Sequence, residues 1–150
     1  KIYFGDASRL ELLRAANAHK AEVFVLAIDD VEASLKTAEI VKRHYPHLKI
    51  YARARNRHHA YRLMDLGVAQ VERETFRSSI ALAQGVLQGL GAGAAEAADA
   101  GARFRAHDED LLRRQHAVHH DEERVLATAR EAAAELERVF EQDTPVGENR

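Results

Sequence analysis

Apolar positions along the first ninety residues follow two spacings, short β-branched or aromatic runs and longer stretches in which they recur every three or four residues. Ile2-Tyr3-Phe4 reads as a strand. Ser8, followed three residues later by Glu11, has capping-box spacing ahead of a helix bearing Leu10, Leu12, Leu13 and Ala16. The unbroken run Val23-Phe24-Val25-Leu26-Ala27-Ile28 predicts a strand covered on both faces. Asp29 and Asp30 are placed to cap the next helix, whose apolar face is Leu35, Ala38, Ile40 and Val41 and which Pro46 forbids from continuing. A strand at Leu48–Arg53 precedes a helix over 57–66 that ends at Gly67. A short strand around Ala69–Val71 then leads into a helix from Thr75 to Leu90. Strand–helix repeats of this length require right-handed crossovers and a parallel sheet, so the fold class is α/β.

Beyond Leu90 the pattern changes. Gly89, Gly91 and Gly93 interrupt an alanine-rich stretch, which reads as a flexible joint, and a predominantly polar helical region follows. A last helix over Asp121–Glu141 carries Val125, Ala129, Ala132, Leu136 and Val139 as one stripe, which predicts packing on a partner surface. The expected organisation is therefore an α/β domain at 1–90, a helical extension at 91–143, and a loose tail at 144–150.

With 46% hydrophobic and 31% charged residues in 150, the composition suits one globular domain with a helical appendage. Charges interrupt every apolar run before the roughly 20 residues that cross a bilayer. There is no cysteine, so neither disulfide nor thiolate chemistry is available, and a cytoplasmic setting is expected. The overall charge of -2 hides an asymmetry: residues 1–90 carry 14 lysines and arginines against 10 acids, whereas residues 91–150 carry 8 against 14. Neither part has the concentrated basic stripe of a nucleic-acid binder, and the basic part suits small anions.

Four segments are candidates for chemistry. Gly5-Asp6-Ala7-Ser8 lies where a strand hands over to a helix, at the carboxyl edge where open α/β sheets bind ligands. Asp6 there can accept from an adenine amino group or a ribose hydroxyl, or it can cap the helix. Arg53-Ala54-Arg55-Asn56-Arg57-His58-His59 concentrates cations at a strand end, where Arg53 and Arg55 suit a phosphate or carboxylate, or form a solvated loop. Glu72-Arg73-Glu74-Thr75-Phe76 ends the last strand, and Arg73 can hold an anion or bridge its acidic neighbours. His116, His119 and His120, with His107 and Asp121 in reserve, have helical spacing but lack the His-Glu-x-x-His arrangement, so no metal site is expected. No nucleophile elbow and no acid–base pair with an orienting third group occurs, and the chain is not expected to be an enzyme.

The ordered series Tyr3-Phe4-Gly5-Asp6-Ala7-Ser8, Leu12-Leu13-Arg14-Ala15-Ala16, Ala52-Arg53-Ala54-Arg55 and Arg73-Glu74-Thr75-Phe76 resembles the potassium-transport nucleotide-binding (RCK) domains. It is especially similar to those of the Kef glutathione-regulated potassium-efflux antiporters. The resemblance implies a Rossmann-like parallel sheet whose first half, with its glycine-rich loop, precedes this chain, followed by a C-terminal helical extension. It also implies an adenine nucleotide, AMP or a relative such as NAD, against Gly5, Asp6, Ala7 and Ser8. Glutathione or its adducts would lie between two copies against Asn56, His59, Arg73 and Asp108, the last an acid where one branch carries asparagine. The implied partners are a second copy, the antiporter membrane domain and an ancillary oxidoreductase, at the cytoplasmic face of the bacterial inner membrane. Two other readings are a fragment of an NAD(P)-dependent Rossmann oxidoreductase and an interaction module with a vestigial nucleotide site.

Overall fold

The computed structural model describes Ile2 and residues 4–141, in two compact units, Lys1–Thr75 and Phe76–Arg150. The first contains α1 (Leu10–Ala15), a short 3-10 turn (Ala18–Lys20), β1 (Val23–Leu26), α2 (Val31–His44), β2 (Lys49–Ala54), α3 (Arg57–Asp65) and β3 (Gln70–Arg73). The strands form one parallel sheet in the order β1-β2-β3, with Val25 beside Tyr51 and Ala54 beside Arg73. The second unit holds α4 (Phe76–Gly89), α5 (Ala94–His116) and α6 (Glu122–Glu141). No helix among the described residues is long and apolar enough to cross a membrane.

Alternation along the strands decides which face is covered. α2 packs on β1, and α3 on β2 and β3. Leu26, Ile50, Ala52 and Ala54 are accordingly buried with Leu35, Ala38, Val41, Ala60, Tyr61 and Leu63 of the helices. Each large apolar side chain so buried contributes about 1.5–3 kcal/mol. The opposite positions, Val23, Val25 and Tyr51, remain exposed, so the apolar run at 23–28 belongs to a strand covered on one face and not on two. Asp30 caps α2 as expected, accepting the Ala33 N–H at 2.8 Å. Gly67 takes the left-handed φ of 67° that ends α3, and Lys42 reaches across from α2 to donate to its carbonyl at 3.0 Å.

Two local expectations at the start are corrected. Ile2 and Phe4 lie in no strand among the described residues and are 84% and 92% exposed; Tyr3 lies outside the described residues. Ser8 is not the helix cap. Its N–H is taken by Asp6 Oδ1 at 2.8 Å, and the Arg9 N–H bonds to the Asp6 carbonyl at 3.0 Å. That turn delays α1 until Leu10, after Arg9, which gives no side-chain cap.

In the second unit the break in composition at Gly89–Gly93 is the turn between α4 and α5, and α4 packs with the helices that follow it. The division of the chain thus falls at Thr75, not after Leu90. The expected flexible joint is a hydrogen-bonded turn, in which Gly91 has φ 104° and the Ala92 N–H bonds to the Leu87 carbonyl at 3.0 Å. Glu96 reaches back to the Gly93 N–H at the start of α5. Part of the α6 stripe packs within the unit: Ala132 is buried, while Val139 stays 40% exposed. α6 is also tied to α5, where Gln115 donates to the Val125 carbonyl and Arg114 grips Glu135 at 2.9 Å. The tail at 144–150 lies outside the described residues.

Candidate functional site

Because the three strands are parallel, their carboxyl ends share one edge of the sheet, and a chain of charges crosses it. Arg53 on β2 donates through Nη2 to Asp29, in the turn after β1, and to the Ala27 carbonyl at 3.1 Å. On its other side Arg53 Nε lies 3.1 Å from Glu74 Oε1, and Arg55 Nη1 donates to Glu74 Oε2 at 3.1 Å. Glu74 is the first residue after β3, and its own N–H donates to the Ala54 carbonyl at 2.8 Å. The carboxylate is the recessed member of this group: its side chain is 19% exposed, against 41% for Arg53 and 49% for Arg55. Arg53 Nε and Glu74 Oε1 are buried and close, yet neither makes an aligned hydrogen bond, so that contact is held by charge alone. Two arginines and two acids balance. The Arg53–Arg55 pair expected to hold an external anion already holds an internal one.

The loop after β2 is organised by the next two candidates. Asn56 caps α3, its Oδ1 accepting the His59 N–H at 2.9 Å. His59 is 0% exposed, and its Nδ1 accepts the Arg55 N–H at 3.2 Å. Burial, and after it the Arg62 charge, holds the imidazole below the ordinary histidine range, so it sits neutral with Nε2 unpartnered. His59 was expected to touch ligand; in this conformation it is a core residue that shapes the loop carrying Arg55. Arg73, the last residue of β3, is half-buried beside Ala54. Of its two acidic neighbours, Glu74 is taken by Arg53 and Arg55, and Glu72 accepts from Gln70 at 3.2 Å.

At the start of the chain, Gly5 has φ 147° and Asp6 is exposed, while Ser8 is buried. The Ser8 backbone N–H, then its hydroxyl, stabilises the ionised Asp6 carboxyl and holds it below the usual carboxylate range. Asp6 therefore caps a turn and not α1, and it stays charged at neutral pH.

In the second unit Asp108 is a buried acid within α5. The same unit also carries an unanticipated apolar groove of about 630 Å³, lined among others by Phe76, Ile80, Leu87, Phe104 and Phe140. Its signal in the sequence was Leu82, Val86 and Leu87 on α4, a helix with no buried residue. The ring of His116, the last residue of α5, stacks on that of His119 with centroids 5.5 Å apart, and the His120 ring lies tilted against His119 at 3.8 Å.

A solved structure described as the Shewanella denitrificans Kef CTD in AMP-bound form superposes with a TM-score of 0.77. It is 42% identical, over 79% of this chain and 75% of that one. The chain belongs to the Kef potassium-efflux family, as its C-terminal RCK-type domain. Residues 1–74 match the model of the TrkA-N domain, and residues 78–149 that of the potassium efflux system KefB C-terminal domain. The GsuK RCK domain is also similar, with a TM-score of 0.46 and 22% identity over 49% of this chain and 16% of that one.

Between the two matched segments of this Kef domain lies the one strained non-glycine backbone position that its chemistry-bearing segments contain. Thr75 has φ 62°, a left-handed value that costs a β-branched residue about 1–3 kcal/mol. It follows Glu74 directly and is the last residue of the first unit. Only glycine or asparagine would have announced such a conformation in the sequence.

Proposed function

We propose that this Kef domain is a ligand-sensing regulatory module at the cytoplasmic face of the bacterial inner membrane, gating a potassium-efflux antiporter and catalysing no reaction. In this reading an adenine nucleotide sits against Gly5, Asp6, Ala7 and Ser8, and glutathione or its adducts against Arg73, Asn56 and Asp108, with the module acting as a homodimer. The observation that carries the nucleotide half is the 42% identical relative in AMP-bound form, joined to an exposed Asp6 held ionised and open to a ligand donor. Support for self-association comes from α4 and the turn that follows it, which leave Leu82 72% and Leu90 81% exposed. An ancillary oxidoreductase is a further partner in this reading. Reduced tripeptide and bulky adduct would favour different packings of the pair, and the membrane domain would follow the population shift. Calorimetric titration of the chain with AMP and with glutathione tests this: saturable binding of each, undiminished by saturation with the other, is expected. Binding of neither ligand refutes the reading.

A further inference from the structure

The Arg53–Glu74–Arg55 group has three features that an ordinary surface ion pair lacks. Its carboxylate is recessed behind two half-exposed guanidiniums, so a solute reaches the cations before it reaches the acid. One of its contacts, Arg53 Nε to Glu74 Oε1, is close but misaligned, so the carboxylate does not satisfy both arginines as a bidentate ligand would. And the residue held in this way is bonded through its backbone to Ala54 and followed at once by a threonine in the left-handed region. A β-branched residue keeps that conformation only where its surroundings over-determine it, and Glu74 is fastened on its strand side by both main chain and side chain.

We propose that Glu74 is a displaceable internal anion, and that a small external dianion of the phosphate or carboxylate class, on taking Arg53 and Arg55, releases it and lets Thr75 leave its strained conformation. Anion occupancy is thereby converted into a backbone change at the residue where the chain passes from the first unit into the second. Strain relief at Thr75 offsets part of the ion-pair energy lost on displacement, so the internal and external anions compete on near-equal terms. Asp29 stays on the far side of Arg53 and keeps that guanidinium in place during the exchange. The device does not depend on which metabolite the domain senses, nor on the role given to Arg73.

A double-mutant cycle on the whole chain, read by urea denaturation, isolates the coupling. Glu74→Gln in the wild-type background breaks the ion pair but lets Thr75 relax. In a Thr75→Gly background there is no strain to release, so the same substitution must cost more. The expected result is that Glu74→Gln lowers the folding equilibrium constant about tenfold further in the Thr75→Gly background than in the wild type. Titration with inorganic phosphate, against chloride at equal ionic strength, gives the second readout. Phosphate binds Glu74→Gln more tightly than wild type, Thr75→Gly more weakly, and Arg53→Gln/Arg55→Gln not at all. Additive costs in the cycle, or equal phosphate affinity in wild type and Thr75→Gly, overturns the proposal.

Discussion

His59 offers a direct test of whether a residue in the cationic loop serves ligand or fold. It is fully buried and accepts the Arg55 N–H through Nδ1, while Nε2 has no hydrogen-bond partner. Desolvation is the largest influence and disfavours its protonation, as do Arg62 and His58, against the opposing Glu32 and Glu74, so its pKa is lowered from the ordinary 6.5. The unfolded chain therefore binds a proton at a pH where the folded chain does not. The resulting stability is complete above about pH 6.5, is lost as pH falls below that value, and levels off once the folded imidazole also protonates. The slope within that window cannot exceed one proton, about 1.4 kcal/mol per pH unit. His59→Asn keeps an acceptor for Arg55 and removes the titration, at a cost on the order of 1 kcal/mol for the smaller side chain. His59→Leu also leaves the Arg55 N–H without its acceptor, adding about 1–3 kcal/mol. Urea midpoints from pH 5 to 8 should show the wild-type advantage over His59→Asn shrinking as the solution is acidified below about 6.5. An advantage that is constant across the range, or that grows on acidification, refutes the assignment of a buried neutral imidazole.

Asp6→Ala should weaken AMP binding several-fold in calorimetry while leaving α1 intact by circular dichroism, because the carboxylate belongs to the turn before that helix and not to its cap. Arg73→Ala should weaken glutathione binding without changing AMP affinity, and Arg73→Lys should recover little of it, since an ammonium lacks the two-pronged fork that clamps a carboxylate. Gly101→Ala should be near neutral in thermal unfolding, because the new Cβ would stand 2.2 Å from Gln84 Nε2 and 3.1 Å from its Cγ, and turning that flexible side chain aside offsets the helix-propensity gain of about 1 kcal/mol. In a Gln84→Ala background the same substitution should become stabilising.

The strands and helices were legible because their signals are local. Asp30 four residues past β1, Gly67 after α3 and Pro46 after α2 each act through their own backbone neighbours, and each does what its residue type predicts. Misreadings arose where a second partner intervened. Ser8 has capping-box spacing to Glu11, but Asp6, two residues earlier, claims its N–H first. The run at 23–28 is apolar throughout, yet whether both faces are covered depends on neighbours that periodicity does not contain. Long-range partners matter most at the sheet edge. Arg53 and Arg55 were identified as cations at a strand end, but the group they hold lies 21 and 19 residues further on, and only the parallel register of β2 and β3 brings it to them.

That register changes what a cluster of cations at a sheet edge implies. Three arginines and two histidines within seven residues suggest an open positive patch, strong and always available. With Glu74 and Asp29 in place the charges of Arg53 and Arg55 are balanced, one histidine is core, and Asn56 is a cap. A permanently open patch would bind any anion at first contact and would report little about concentration. A patch occupied by its own carboxylate has its apparent affinity reduced by the fraction of time it is open. Such a site responds only to an abundant or well-fitted anion, and because occupation requires a residue of the chain to move, binding and conformational change become one event.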